Sequence, residues 1–405
     1  MSLPSRRVLV TYGWCRTAYL AVRSLSRGGY RVYTCSGHAP SMSGWSRFSR
    51  GSAAVADPFA APEEFSKDVG RLVQRWSIDV VLPGHEDALA LRQFEHHLPE
   101  GVQIACPLRE QLERAVDKAE VTRAALAASV PVPASRFPAS VDEAVADAES
   151  IGFPIVAKLR RSNSGKGVAA AGSTDDLVGI LTGRFASFCS SPIRFPILQE
   201  LLPGQVVGAC FLAEKGRVVA VFAERYVRCK DGRFGTSVFR EPLRWPRLDE
   251  HVAAMAAQLS WTGIGHFDFI EDAGRDEAFL LEMNPRLWGA VNLAYVNGFD
   301  FPAALVAQTR GEGNLGRFFA SDYGRELRSI WLVGEMIGAV NRWQAGERLG
   351  PARTAWDLAR VLPRSRFDDF VWHDPLALVA EGCCYTKLFI RSGGDTNPVG
   401  EGMFQ

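Results

Sequence analysis

The densest chemistry in the chain lies at residues 279–286, Phe-Leu-Leu-Glu-Met-Asn-Pro-Arg. The run reads as a short strand that delivers polar groups to its rim. Side chains two apart share one face of a strand, so Leu280, Glu282 and Asn284 are expected to point one way. Phe279, Leu281 and Met283 are then expected to point the other way, into a core. Pro285 has no N–H to donate and ends the ladder, and Arg286 follows at the same mouth. A second strand-like run, Gly265-His266-Phe267-Asp268-Phe269-Ile270, precedes it across the polar stretch 271–277. A hairpin folded about Arg275 sets Asp268 opposite Glu282 and His266 opposite Asn284, all on one face. Two carboxylates and an amide oxygen on one face suit a hard cation such as Mg²⁺, with water and substrate phosphates completing its octahedron. The competing reading is a surface hairpin whose acids only face water.

Three further sets of residues could do chemistry. His85-Glu86 follows the strand-like run Asp79-Val80-Val81-Leu82-Pro83, at the carboxyl end of a parallel strand, where open α/β sheets bind ligands. Helix capping is the competing account, and Leu89 stands where a metalloprotease motif needs its second histidine. The loop Arg160-Arg161-Ser162-Asn163-Ser164-Gly165-Lys166-Gly167 is not a Walker A motif: no glycine stands five before Gly165, and no Ser or Thr follows Lys166. Its glycines and basic residues still suit a loop that lays N–H groups over phosphates, against the alternative of a plain hairpin turn. Arg225, Arg228 and Arg240, near Lys230 and Arg233 in a basic loop, are candidates to grip a substrate carboxylate bidentately. A solvated basic face is the alternative.

The elements that must position these residues begin with a βαβ unit. Residues 7–12 read as a buried strand, Thr17 to Arg27 as an amphipathic helix ended by Gly28-Gly29, and Tyr30 to Cys35 as the next strand. Only Gly13 stands in the first turn, so no Gly-x-Gly-x-x-Gly dinucleotide site is expected there. A helix over 62–76, a helical period over 109–128 and a capping box at Ser140/Glu143 follow. Strands are expected at 152–159, 168–170, 196–202, 206–213 and 217–224, and helices at 248–260, 290–297 and on to Arg310. Beyond residue 320 the signals weaken: 330–340 and 355–361 read as helical, and Cys383–Ile390 as a last strand.

At 405 residues the chain is expected to hold about two to three domains. Its 46 Lys and Arg against 45 Asp and Glu argue against binding nucleic acid or an anionic membrane by net charge. No apolar run approaches a membrane span. The N-terminus shows no small-residue cleavage site, so no secretory signal is expected. The eight cysteines form no Cys-x-x-Cys pair and have no zinc spacing, which reads as reduced thiols in a cytoplasmic protein.

The order of these pieces resembles the ATP-grasp superfamily, in particular carbamoyl-phosphate-synthase-like carboxylate–amine ligases. The residues that carry the likeness run in order from 118 to 302: a lysine before a hinge strand, the glycine-rich basic loop, Gln199-Glu200-x-x-x-Gly204, and Asp268 followed by Glu282-x-Asn284-x-Arg286. Val22-Arg23-Ser24-Leu25, Ser46-Arg47-Phe48 and Leu287-Trp288-Gly289 extend it. The resemblance implies an α/β and α+β chain: an N-terminal parallel-sheet pre-ATP-grasp domain (1–108), then two ATP-grasp subdomains, the small one with flap and hinge (109–204) and the large one (205–318). A C-terminal extension (319–405) lies outside it. It implies that Lys118 and Lys158 contact phosphates, with Lys158 and Arg286 beside the transferred phosphoryl group. It also implies that Ser164, Gly165, Lys166 and Gly167 form the flap and that Gln199, Glu200, Leu201 and Leu202 line the adenine hinge. Asp268, Glu282 and Asn284 match the magnesium ligands, with Asp268 standing where the family often has Glu. The cofactors implied are ATP and Mg²⁺, with Mn²⁺ as a substitute. The expected activity is an ADP-forming ligation of a small-molecule carboxylate to an amine through an acyl phosphate. Arg225, Arg228, Arg240, His85 and Glu86 are the expected substrate contacts, and a homodimer is the expected assembly. A carboxylase or phosphotransferase on the same scaffold, or a nucleotide-binding protein without turnover, are the alternatives.

Overall fold

The structure, a computed structural model, describes residues 6–163, 165–230, 235–272, 274–323 and 326–395. Ser164 and Arg233 therefore lie outside the described residues. The first sheet is parallel and runs β3 (Ser52–Ala54), β2 (Arg31–Ser36), β1 (Arg7–Val10), β4 (Val80–Leu82), β5 (Gln103–Ile104). Its strand order reverses direction between β1 and β4. The loops leaving their carboxyl ends, 11–15 and 83–86, thus diverge around a crevice, the usual ligand position in such sheets.

The second sheet is antiparallel, in the order β6 (Ser135–Arg136), β9 (Ile197–Glu200), β7 (Ile155–Lys158), β8 (Val168–Ala171). Helices Val141–Ile151 and Thr174–Thr182 cover one face of it, burying Ala144, Ala148, Leu177 and Leu181 against Ile155, Ala157 and Leu198. Ser140 caps the first helix through Glu143 N–H, while the Glu143 carboxylate accepts from Ala139 N–H, one residue before the partner a capping box requires.

The third sheet has seven strands in the order β14 (Glu277–Asn284), β13 (Gly263–Asp272), β10 (Gln205–Glu214), β11 (Arg217–Cys229), β12 (Ser237–Leu243), β15 (Arg328–Ile330), β16 (Ser365–Phe367). One face packs Phe211, Phe267, Phe269, Leu280 and Met283 against helices Lys118–Ala127 and Pro246–Gln258. On the other, Cys210, Leu212, Phe222 and Ile264 join one core with Val8, Val10 and Leu20 of the first βα unit and Leu293, Phe301 and Ala304 between them. That shared core carries the crevice of the first sheet to the polar rim of the third.

Several expectations need correcting. The helical run 109–128 is two helices, Arg109–Ala115 and Lys118–Ala127, because Asp117 leaves helical geometry and caps the second by accepting from Ala119 and Glu120 N–H. Arg225 and Arg228 belong to the long strand β11, not to a loop. The segment Cys383–Ile390 lies in the helix Pro375–Arg391: Ala377, Ala380 and Cys384 recur at helical spacing and are buried, which outweighs the local β-preference of Cys-Cys-Tyr-Thr. The C-terminal region also contributes β15 and β16 to the large sheet. Among the described residues, no helix is long and apolar enough to cross a membrane.

Candidate active site

One cavity of about 310 Å³ runs from the hinge strand β9, over the β13–β14 hairpin, to the crevice of the first sheet. Its floor is the hairpin. His266 pairs with Asn284 and Asp268 with Glu282, as the alternation of the two strands predicts. Beyond Asp268 the register shifts, so that Phe269 faces Leu280 and Leu281 is left as the extra residue of a bulge. The bulge turns Leu281 into the cavity beside Glu282 and Asn284 and sends Leu280 into the core with Met283. Leu280 and Leu281 are therefore exchanged relative to strict alternation. Leu281 joins Val156, Leu201, Leu202, Val206 and Ile270 in an apolar slot next to the charged floor.

The charged residues are tied to one another. Lys118 Nζ donates to the Ser162 carbonyl (2.5 Å) and lies 3.2 Å from Glu282 Oε2. It begins the helix that Asp117 caps, and Arg160 fixes Asp117 through two bonds of 2.6 and 3.0 Å. The flap root and this lysine are thereby one unit. Lys158 ends β7 inside the cavity. Burial brings its ammonium down to about 8, the nearby Glu282 opposing and Lys118 adding to the shift. Burial pushes Glu282 upward, but Lys118 and Lys158 outweigh it and hold the carboxyl below its ordinary range. Asp268 is raised instead, by burial and by the facing Glu282, although Tyr226 Oη (2.8 Å) and Asn284 Nδ2 (2.9 Å) donate to it. His266 lies 3.3 Å from the buried Glu224 and stacks on Trp288 with ring centroids 5.6 Å apart.

Arg286 joins the floor to the crevice. It donates to Asn284 Oδ1 (3.2 Å), to the Leu287 carbonyl (3.1 Å) and to Glu86 Oε1 (2.7 Å). Glu86 also accepts from Asn163 Nδ2 at 3.1 Å and contacts His85. Burial opposes its ionisation, but Arg286 and His85 overcome this and hold Glu86 well below the usual carboxylate range. Glu86 occupies the N-cap position of the helix Asp87–Gln93, yet its side chain caps nothing, so the capping account of this pair fails.

The flap lies over this floor. Gly165, in the left-handed region at φ 73°, and Lys166 line the cavity. Gly167 does not line it, but a Cβ there would fall 2.3 Å from Ser162 Oγ, so the flap closes on its root only with glycine. Glu200, Leu201 and Leu202 line the cavity. Gln199 does not: it is fully buried on the other side of β9, donating to Ser135 Oγ at 3.0 Å.

The three arginines expected to hold a substrate carboxylate are not brought to the cavity. Each is engaged by the protein's own acids: Arg225 by Glu271 (3.0 Å), Arg228 by Glu335 (2.8 Å), and the fully buried Arg240 by Asp368 (2.5 Å). Besides Arg286, the structure places the guanidinium of Arg16 there, which sequence reasoning missed. Its signal was its place, at the start of the helix that follows β1 at the carboxyl edge of the sheet. Tyr226 and Trp288 were missed too, one on an inner strand of the third sheet and one in the turn after Arg286.

The donor set can hold a hard cation. Asp268, Glu282 and Asn284 offer oxygen ligands to one cavity, and burial together with the facing Glu282 raises Asp268. Among the described residues no three His, Cys, Asp or Glu cluster as a metal cage.

No family model matches the chain. Over 207 residues, 49% of this chain, it is 26% identical to the carbamoyl phosphate synthase large chain of Pyrococcus furiosus, and it spans 19% of that relative's length. Among solved structures it is similar to the biotin carboxylase domain of Hydrogenobacter thermophilus 2-oxoglutarate carboxylase, solved with MgADP, ADP and bicarbonate. That match has a TM-score of 0.63 at 17% identity, over 76% of this chain and 70% of that one. It is also similar to carboxyaminoimidazole ribonucleotide synthase of Aspergillus clavatus, solved with ATP, with a TM-score of 0.59 at 16% identity over 78% and 79% of the two chains. The chain has the ATP-grasp fold.

Proposed function

We propose that the protein is an ATP-dependent ligase that joins a small-molecule carboxylate to an amine and releases ADP and phosphate. The observation that carries this reading is the assembly of Glu282, Asp268, Asn284, Lys158 and Arg286 around one cavity with an apolar slot at one end, with Lys118 paired to Glu282 at 3.2 Å but not itself lining that cavity. The slot of Val156, Leu201, Leu202 and Leu281 takes the adenine, and the lysines and the flap take the phosphates. Asp268, Glu282 and Asn284 hold Mg²⁺, which offsets triphosphate charge when bound. The domain reading goes with this proposal: residues 1–108 as a preceding domain, 109–204 and 205–318 as the two halves of the clamp, and 319–405 as an extension.

In the first step a carboxylate oxygen of the acid attacks the γ-phosphorus and ADP leaves. Arg286 donates to the anionic oxygens that form, at the edge of the acid site, and Glu86 and Asn284 keep its fork aimed. In the second step the amine attacks the acyl phosphate and phosphate leaves. The flap, glycine-hinged at Gly165, keeps water from intercepting the intermediate. The eight cysteines are all free, which supports a reducing, cytoplasmic setting.

The test is to supply Mg-ATP with pools of acids, bicarbonate among them, and amines, and to follow the products. ADP and phosphate that require an acid, with hydroxylamine trapping a hydroxamate, are expected. AMP and pyrophosphate would overturn the acyl-phosphate route, and tight ATP binding without turnover on any pool would make the protein a nucleotide sensor.

A further inference from the structure

Beyond Arg286 the cavity continues into a cup whose wall closes on itself. Arg286 is tied to His85 through the buried Glu86, which does not itself line the cavity, and His85 stacks on Tyr12 with centroids 5.0 Å apart. Tyr12 meets Trp14 at 5.4 Å, Trp14 meets Tyr385 at 5.7 Å, and Tyr385 meets Trp331 at 5.8 Å, with planes tilted by 63°, 56° and 54°. Rings meeting at such angles make a concave aromatic wall rather than a flat stack. Arg16 completes the ring. Its guanidinium carbon lies 3.8 Å from the Trp331 ring centroid, and its Nε donates at 3.0 Å to the carbonyl of Gly289, three residues along the chain from Arg286. Tyr12, at φ 56°, holds a left-handed conformation costly for a bulky side chain, a strain that tends to mark functional sites.

Two observations say what the cup takes. First, its wall holds donors that have no acceptors. The terminal nitrogens of Arg16 donate to no residue among those described, and the Trp14 indole N–H and Tyr12 hydroxyl are buried without partners. Second, its charge is not balanced. Asp368 is shared by two guanidiniums, Arg240 at 2.5 Å and Arg16 at 3.7 Å. Glu381, beside it, accepts from Trp331 Nε1 at 3.0 Å, and burial and the neighbouring Asp369 push its carboxyl well above the carboxylate range. An uncompensated guanidinium in an apolar wall calls for an anion. A bare aromatic cage would suit a quaternary ammonium, but here a guanidinium already lies over the Trp331 face and repels one. The site is also built for Arg16: a Cβ on Gly289 would fall 2.6 Å from its Nη2.

We propose that this cup binds the acid substrate and that the acid is aromatic, with its ring against Trp14, Tyr385 and Trp331 and its carboxylate on the side of Arg16 and Arg286. The inference rests on the ligase reading for the word substrate, but the binding itself is tested without turnover. The full-length protein, free of nucleotide, is titrated with benzoate, phenylacetate and 3-phenylpropionate, each against its saturated cyclohexyl counterpart. Tryptophan fluorescence and calorimetry report binding. At least one aryl acid is expected to bind about tenfold tighter than its saturated counterpart, the preference that ring contacts confer. Arg16→Gln should weaken that acid about tenfold or more, as loss of a bidentate partner does, while ATP affinity is retained. Gly289→Ala, which displaces Arg16 without removing it, should do the same, and an unchanged melting temperature rules out misfolding. Equal affinity for aryl and saturated acids, no binding of either, or full aryl-acid affinity in both variants would overturn the proposal. The two readings fail separately: Arg16-dependent aryl-acid binding in a protein that yields AMP keeps the cup and sinks the ligase. ADP-forming turnover on aliphatic acids without aryl preference keeps the ligase and sinks the cup.

Discussion

The two ends of the cavity, the proposed nucleotide end and the proposed acid end, are made in different ways. The nucleotide end is built from pieces that are each local: a lysine at a helix start, a lysine at a strand end, a flap between two paired strands, and a hairpin that faces two acids across a few residues. The acid end is built from pieces that meet only in the folded chain: Arg16 reaches a carbonyl 273 residues away, and Tyr385 comes from the last helix. The first end is rich in ionised groups that balance one another, whereas the second pairs one unbalanced guanidinium with aromatic walls. Local construction suits a ligand that varies little, such as a nucleotide. Assembly from distant segments lets one end change without disturbing the other.

Breaking one end while sparing the other tests that division. The largest effect is expected from Glu282→Gln, which should lower turnover by about a thousandfold or more, as losing a charge-stabilising group does. Its melting temperature and acid binding should stay close to those of the parent, and equal turnover would remove Glu282 from the metal site. Glu86→Ala sits on the boundary. Freed of its 2.7 Å partner, Arg286 should lose its aim, with kcat falling by about a hundredfold and ATP affinity nearly kept. A fall in ATP affinity alone would assign the pair to the nucleotide end.

A smaller effect is expected from pH. Because the Lys158 ammonium is lowered to about 8, it loses charge as pH rises through that value, and ATP affinity should weaken between pH 7 and pH 9. Lys158→Arg, which stays charged, should flatten the curve. Beneath the cup, burial raises Asp87 from 3.8 to about 7, against its bonds from Thr11 and His85 N–H. Between those values the folded state holds a proton that the unfolded state has lost, so this group's contribution to stability falls as pH rises across the window and is level above it. Asp87→Asn should remove that slope, read as denaturant midpoints at pH 5 and pH 8, and an unaltered slope would show that another group sets it.

Much of the nucleotide end was legible because its signals are short-range. Period-two alternation placed Asp268 opposite Glu282 and His266 opposite Asn284, and the structure has that pairing. Alternation failed one residue further on, since a bulge depends on how the hairpin packs and carries no mark in the residue types. Gln199 was drawn to the hinge by its neighbour Glu200, but adjacent residues of a strand face opposite sides. Arg225, Arg228 and Arg240 looked available because their acidic partners lie far along the chain: Glu271, Glu335 and Asp368 are invisible as partners until the sheet forms.

By itself the sequence determined the order of the elements, the parallel opening, the hairpin that carries the acids, the flap and the lysines. These follow from backbone periodicity, proline and glycine chemistry, and charge placed a few residues apart. Only the tertiary structure decided that Arg16 joins Arg286 in the cavity, that Leu281 rather than Leu280 lines it, and that the last helix supplies a wall of the cup. The physical reason is that burial and pairing are set by segments that meet after hundreds of residues. A side chain's own type says what it can bind, and the packed fold says what is left for it to bind.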